Sequence, residues 1–429
     1  MEKLLNNKKW NLIITSSILV IAIVITIITG INFRNFSKYE TYFYVRENVE
    51  IQKLVDYSPT LKGTIGAETN IYVMKGPDAV NKDIKDCPSV LILGGTHPNE
   101  PSGQLTAAVF LENLKVSGDT VVFIITETNK SAYTHSQPQE ASPQYYSLTT
   151  QTGNKRLFKF GSRATNTNEQ WPNPDIYTHS SGQQLSNSET RNLNRAYPGS
   201  PNGTYTEKVA YGITQLIKEN DIKVTIDMHE ASPEYITINA MVCHQNAKAI
   251  GTDAAMQMEM DDIIIGVEES PVNLHGLTHR ELGDFTDTVV ILLETSNASQ
   301  GKIRGPFLEE LITYEIKDKF YEKAREITEA GELLLLYGYP VSINERVARH
   351  TSSILEIINS YNKAVLKRPQ MLEKYSEERI AKLQDCGSID IDLDLSSMLS
   401  LEDKVDYSSE SEYTMICDLG VGYFLHDEK

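Results

Sequence analysis

SVLILGGTHPNE, residues 89–100, runs from a short apolar stretch through two glycines to His97 and Glu100. Two later stretches follow the same plan. KVTIDMHE (223–230) leads to His229, and VVILLETSN (289–297) leads to Glu294. Short apolar runs bounded by Gly, Asn and Ser read as buried strands. In open α/β sheets, ligands bind outside the carboxyl ends of such strands. Two histidines and a glutamate suffice to hold a zinc ion with one position open, and a further glutamate can serve as a base. The three strand ends together point to a metallohydrolase.

Beyond His97, Asn99 and Pro101 suit the N-cap and first turn of a helix running to about Leu114. Further strands are expected at 121–127 and 236–242, and helices at 206–220, 247–260, 307–336 and 343–365. This alternation predicts an α/β fold: a mixed, mostly parallel sheet with helices on both faces. Residues 136–204 differ, being rich in Pro, Gln, Ser, Thr, Asn and Tyr without periodicity, and read as an ordered substrate loop. The expected organisation is a leader and transmembrane anchor (1–36), a membrane-proximal stalk (37–70), a catalytic region (71–305), C-terminal helices packing on the sheet (306–386) and an acidic segment (387–429).

With 429 residues, 40% of them hydrophobic, the chain can bury a large core. A net charge of −18 and the lack of a basic stripe argue against a nucleic-acid partner. Half of that charge lies in 387–429, where 2 Lys stand against 11 Asp and Glu, and reads as a solvated periphery. Cys87, Cys243, Cys386 and Cys417 are scattered without a C-x-x-C pair and read as lone thiols. Residues 10–33 carry no charge. A helix of that length covers roughly 36 Å, more than the hydrocarbon core of a bilayer. A cleaved signal peptide would have a shorter apolar region and a small-x-small cleavage site, so an uncleaved single-pass anchor is the expectation. Lysines before the span and basic residues after it balance. The nine-residue leader favours a cytoplasmic N-terminus with the body outside.

The segment Arg191-Asn192-Leu193-Asn194-Arg195 sets two guanidiniums and two amides in five residues. Arginine grips carboxylates through a planar fork, and Asn adds directional hydrogen bonds. The alternative is a surface turn paired with Glu189 and Glu207. His275 and His279 sit four apart, but Gly276 lies between them, and a structural or substrate-wall role is expected. No G-x-S-x-G stretch exists to form a serine-hydrolase elbow.

In order along the chain, GGTHPNEPSG (94–103), RNLNRAYPG (191–199), DMHEA (227–231) and LLETSNASQG (292–301) resemble the succinylglutamate desuccinylase/aspartoacylase family, which is related to the zinc carboxypeptidases. The resemblance covers about half of the chain. It implies one zinc ion per chain on His97, Glu100 and His229, with Glu294 as general base. It also implies that Asn194 and Arg195 hold a substrate carboxylate and that an arginine polarises the scissile carbonyl. Arg191 is chosen for that role because it lies in the same segment, with Arg163 and Arg280 as alternatives. Two departures stand out. Pro98 stiffens a loop where the family often has glycine, and Asn192 stands where relatives often carry an aspartate that orients a zinc histidine.

The function this implies is a membrane-anchored zinc hydrolase cleaving an amide bond of an N-acyl amino acid or short peptide that bears a carboxylate. A metallocarboxypeptidase acting on cell-wall or other peptides is the alternative, and a non-catalytic zinc-binding ectodomain is an alternative of another class. A truncated chain beginning near Ser37 is expected to stay in aqueous solution, since the long apolar segment ends at Phe33. Its partitioning into detergent would refute a single anchor.

Overall fold

The computed structural model describes residues 8–134, 143–301, 309–313, 341–400, 407 and 409–428. Residues 1–41 and 42–429 form two separate units. The first contains helix α1 (Lys8–Lys38), whose Lys8–Asn32 portion is long and apolar enough to cross a membrane.

The second unit is built on a mixed eight-stranded sheet. Its strands are β1 (Glu50–Lys53), β2 (Asn70–Lys75), β3 (Ser89–Leu93), β4 (Val121–Ile125), β5 (Val224–Ala231), β6 (Ala240–Cys243), β7 (Gly266–Glu269) and β8 (Val289–Ser296). They lie in the order β1-β2-β4-β3-β5-β8-β6-β7. The central strands β4, β3, β5 and β8 run parallel to their neighbours in that row. β1 and β2 on one side, and β6 against β8, pair antiparallel.

Apolar side chains of β3 divide between the two faces, as a pleat with period two demands. Val90 and Ile92 join the core that holds helices α2 (Pro101–Asn113), α4 (Lys248–Met260) and α5 (Ile343–Leu366). Leu91 and Leu93 join the core under α3 (Tyr205–Asn220). Both faces of the sheet are therefore covered. Helix α5 is amphipathic, burying Val347, Ile354, Ile357, Ile358 and Tyr361 at helical spacing, and Ser342 caps its start by accepting from the Glu345 N–H. Thr204 and Glu207 form a capping box on α3.

Several boundaries differ from the sequence reading. Residues 50–53, read as stalk, form the edge strand β1, paired with β2, and Leu54 just beyond is fully buried. The N-cap of α2 is Glu100 rather than Asn99. The stretch 136–204 contains two hairpins, Tyr145–Thr149 with Lys155–Lys159 and Ile176–Thr178 with Gln184–Ser186. Their short, polar-rich strands hide an alternation that burial reveals only in three dimensions. The acidic segment packs on the body: Ile391–Asp392 pairs with Lys115–Val116, and Leu393, Leu395 and Phe424 are buried. The helix expected at 307–336 lies outside the described residues apart from Glu309–Thr313. All four cysteines are free thiols.

Two buried ion pairs brace the sheet and α2. Arg346 of α5 meets Glu230 at 2.6 Å, and Arg156 meets Glu112 of α2 at 2.8 Å. Removing one partner of such a pair strands a charge without water. Arg346→Met is expected to cost about 3–5 kcal/mol of stability in urea unfolding. A change below 1 kcal/mol, on the order of a surface pair, would show that Glu230 is neutralised by other means.

Candidate metal centre and substrate cavity

The centre forms where β3 and β5 end. After Leu93 the chain turns through Gly95 at φ +71°, where a side chain would also collide with Tyr133. The turn is closed by the Glu100 N–H donating to the His97 carbonyl at 2.9 Å, so both side chains leave one loop. Glu100 also starts the 13-residue helix α2, whose N-terminal dipole favours a carboxylate. On β5, Asp227 and His229 are two residues apart and share a face. His229 is in register with Glu294 of the parallel strand β8.

Glu100 sits between the two imidazoles. Its Oε1 is 2.8 Å from His97 Nδ1 and its Oε2 is 2.8 Å from His229 Nδ1, while the Glu230 N–H donates to Oε2 at 3.1 Å. The two Nδ1 atoms are 3.1 Å apart. The remaining ring nitrogens are tied elsewhere. His97 Nε2 lies 2.7 Å from Asn192 Oδ1, and His229 Nε2 lies 2.8 Å from Asp227 Oδ2. Asn192 cannot turn its amide over, because Oδ1 accepts from the Asn194 N–H at 2.9 Å while Nδ2 donates to Glu189 at 3.0 Å. Both Nε2 atoms therefore carry a proton, and both Nδ1 atoms face Glu100, where an ion could take the place of a proton.

That donor set fits zinc: two imidazoles and a carboxylate, with each ring braced from behind, and an ion would displace the proton that His229 otherwise keeps. Burial pushes His97 down to about 4, with the Arg163 guanidinium adding to the effect, so the ring is neutral near pH 7. Burial opposes a charge on His229 as well, but Asp227 and Glu100 outweigh it and raise its pKa. Glu100 is held well below the usual carboxylate range despite its burial, because His97 and His229 face it.

Glu294 has the opposite character. Burial pushes it up to about 8, the Glu100 carboxylate adding to the rise, and its Oε2 is buried without a hydrogen-bond partner among the described residues. It lines a cavity of about 360 Å³ together with His97, His229, Arg163, Asn194 and Arg195. That volume suits a small molecule.

Of the arginines named from sequence, Arg163 reaches the centre and Arg191 does not. Arg163 Nη1 donates to Glu100 Oε1 at 3.1 Å, its Nε to Glu189 at 3.3 Å, and its side chain is 39% exposed. Its loop is placed by close contact of Gly161 with Pro98, where a Cβ on Gly161 would overlap the proline ring. The proline that stiffens the metal loop is thus also the surface that brings Arg163 in. Arg191 is buried in a 3₁₀ turn, donates to the Thr165 carbonyl and does not line the cavity. Arg280 is held by Asp284 and His244. Arg195 forms an ion pair with Glu189 at 3.2 Å, the partner that a surface turn also called for. Asn194 Oδ1 accepts from the Thr278 N–H at 2.8 Å, leaving its Nδ2 as the group it can offer a ligand. His279 lines the cavity and bonds Ser270, whereas His275 turns to Glu281.

Asp227, Thr278, Thr96 and Glu189 were not singled out as site residues. Asp227 is bonded by Thr96 at 2.8 Å and by Thr278 at 2.7 Å. Its two-residue spacing from His229 on a strand is the signal that could have found it.

No family model matches the chain, and no curated protein does. Similar solved structures include a succinylglutamate desuccinylase from Silicibacter sp. TM1040, with 15% identity and a TM-score of 0.32 over 53% of this chain and 52% of that one. A succinylglutamate desuccinylase/aspartoacylase from Rhodobacter sphaeroides shows 17% identity and a TM-score of 0.32, over 55% and 54%. Product-bound cell shape determinant protein Csd4 from Helicobacter pylori shows 11% identity and a TM-score of 0.39, over 68% and 54%. The matched region spans about half the length of these solved chains. Likeness of this degree assigns the chain no activity.

His229→Ala is expected to lose most bound zinc while keeping its fold. Asp227→Asn should weaken zinc affinity by roughly 10–100-fold, the effect usual for a lost partner behind a ligand. Competition with a chromogenic chelator measures both, and wild-type affinity in either variant would remove that residue from the centre.

Proposed function

We propose that the chain is a membrane-tethered zinc amidohydrolase acting on an N-acyl amino acid or short peptide that carries a carboxylate. The observation carrying this reading is one cavity that joins a His-Glu-His donor set, a buried carboxylate with an unpartnered oxygen, and an Asn-Arg pair. His97, Glu100 and His229 would hold the ion, one per chain. When bound, zinc supplies Lewis acidity that makes water more acidic and stabilises negative charge on a carbonyl oxygen.

The protein's own groups divide the remaining work. Glu294 takes the proton from the attacking water and returns it to the leaving amine. Its partnerless Oε2 and its raised pKa suit a group that must both accept and release a proton near neutrality. Arg163, in place of Arg191, is the guanidinium proposed beside the scissile carbonyl. Its support is the 3.1 Å contact with Glu100 and its place in the cavity wall. Asn194 and Arg195 hold the substrate carboxylate and fix which amide meets Glu294. The chain of bonds His229–Asp227–Thr278–Asn194 links this pair mechanically to the metal centre. Helix α1 is the proposed tether, with the body outside the cytoplasm. A metallocarboxypeptidase uses the same groups, and product analysis separates the two: a free acyl acid, or a C-terminal amino acid.

Glu294→Gln keeps the size of the side chain but cannot accept a proton. Zinc content is expected to stay at wild-type level while turnover falls at least ~10²–10⁴-fold, the range for lost acid–base catalysis. Loss of zinc in this variant would make Glu294 a ligand. Undiminished turnover would remove it from the chemistry, and full zinc with no hydrolysis of any acyl-amino acid or peptide by the wild type would favour a non-catalytic ectodomain.

A further inference from the structure

The cavity reaches beyond the metal centre to a carboxylate that the proposed chemistry does not use. Strand pairing sets Asp227, Leu292, Val242 and Glu268 in one row across β5, β8, β6 and β7. Residues in register share a face, so Glu268 looks to the same side of the sheet as Asp227, His229 and Glu294. Two strand spacings, ~10 Å, separate the strand of Glu268 from that of Glu294.

Part of the lining on this side is apolar, alongside Thr237 and His279. Val242 and Leu292 belong to the row itself, and Leu274 and Leu277 come from the loop after β7. In the row of Glu294 the corresponding residues of β6 and β7 are only Ala240 and Gly266, which leaves room above the sheet. Glu268 also lines the cavity, and its Oε2 accepts from Thr237 Oγ1 at 2.8 Å, which fixes the carboxylate. The adjacent Glu269 pairs with Lys248 at 2.7 Å. Glu268 has no such cation among the described residues. A fixed carboxylate beside these four aliphatic side chains complements an ammonium on an aliphatic stem, which buries its methylenes and keeps its charged head paired.

We infer that this part of the cavity is the side-chain subsite for a cationic amino acid. The amino acid whose carboxylate Asn194 and Arg195 hold carries a terminal amine, as lysine, ornithine and other diamino acids do, and Glu268 receives it. The inference rests on the amidohydrolase reading above and names its substrate class.

The test uses the full-length chain in detergent, supplied with zinc, and calorimetric titration with L-lysine, L-norleucine and L-glutamate. Norleucine keeps the four-carbon stem of lysine without the ammonium. Lysine is expected to bind at least about tenfold more tightly than norleucine, as one charge-assisted contact predicts. Glu268→Gln should bring lysine to the level of norleucine and leave norleucine unchanged, which also reports that the variant is folded. Glu268→Lys should shift preference towards glutamate. Equal binding of lysine and norleucine by the wild type, with Arg195→Lys weakening both, would overturn the subsite while sparing the carboxylate-holding pair. Failure of all three amino acids to bind would overturn that pair and the subsite together.

Discussion

A carboxylate with 2% exposure, Glu100, must be neutralised from every side, and most of the site follows from that requirement. Two imidazoles face its oxygens, a backbone N–H of β5 donates to one of them, and Arg163 donates to the other. Each of these groups then needs its own support. Asn192 and Asp227 fix the rings, Glu189 braces Asn192, Arg163 and Arg195, and Thr96 and Thr278 hold Asp227. The result is alternating charge: acid, base, acid, base. In a low-dielectric interior such a network is stable only when each member is satisfied. Glu294 stands outside this pairing, and burial, with the Glu100 carboxylate adding to it, raises its pKa.

The same logic extends into the fold. Glu230 uses its backbone on Glu100 and its side chain on Arg346 and Asn297. It is therefore a strut, although it stands beside His229 in the sequence. Arg156 and Glu112 do the same at the other end of α2, where the His426 carbonyl also accepts from Arg156.

Much of this was legible in the sequence. Strand ends were readable because β3, β5 and β8 are buried on both faces and so are nearly unbroken apolar runs, stopped by Gly, His or Asn. Any ligand-type residue just past them had to gather at one edge. Which of the three candidate arginines reaches the cavity was not legible. Arg191 lies close in sequence to Asn194 and Arg195, yet a 3₁₀ turn rotates it inward to Thr165, while Arg163 arrives from a separate loop placed by Pro98. Glu268 was hidden for another reason: β7 is an edge strand of four residues, too short for its alternation to stand out. The hairpins within 136–204 and the packed acidic segment were missed because their strands carry few aliphatic residues and depend on tertiary partners.

The strut through Glu230 has a bearing on biosynthesis. Arg346 lies 116 residues beyond Glu230, so it leaves the ribosome long after the His97 loop and β5 have been made. A nascent chain that stops short of α5 leaves Glu230 with Asn297 and Ser102 but no cation at the back of the site, where the carboxylate would seek solvent and loosen the backbone that braces Glu100. Folding during synthesis can assemble the sheet early. Completion of the centre waits for a helix from the last quarter of the polypeptide, so truncated translation products should emerge with the centre unfinished.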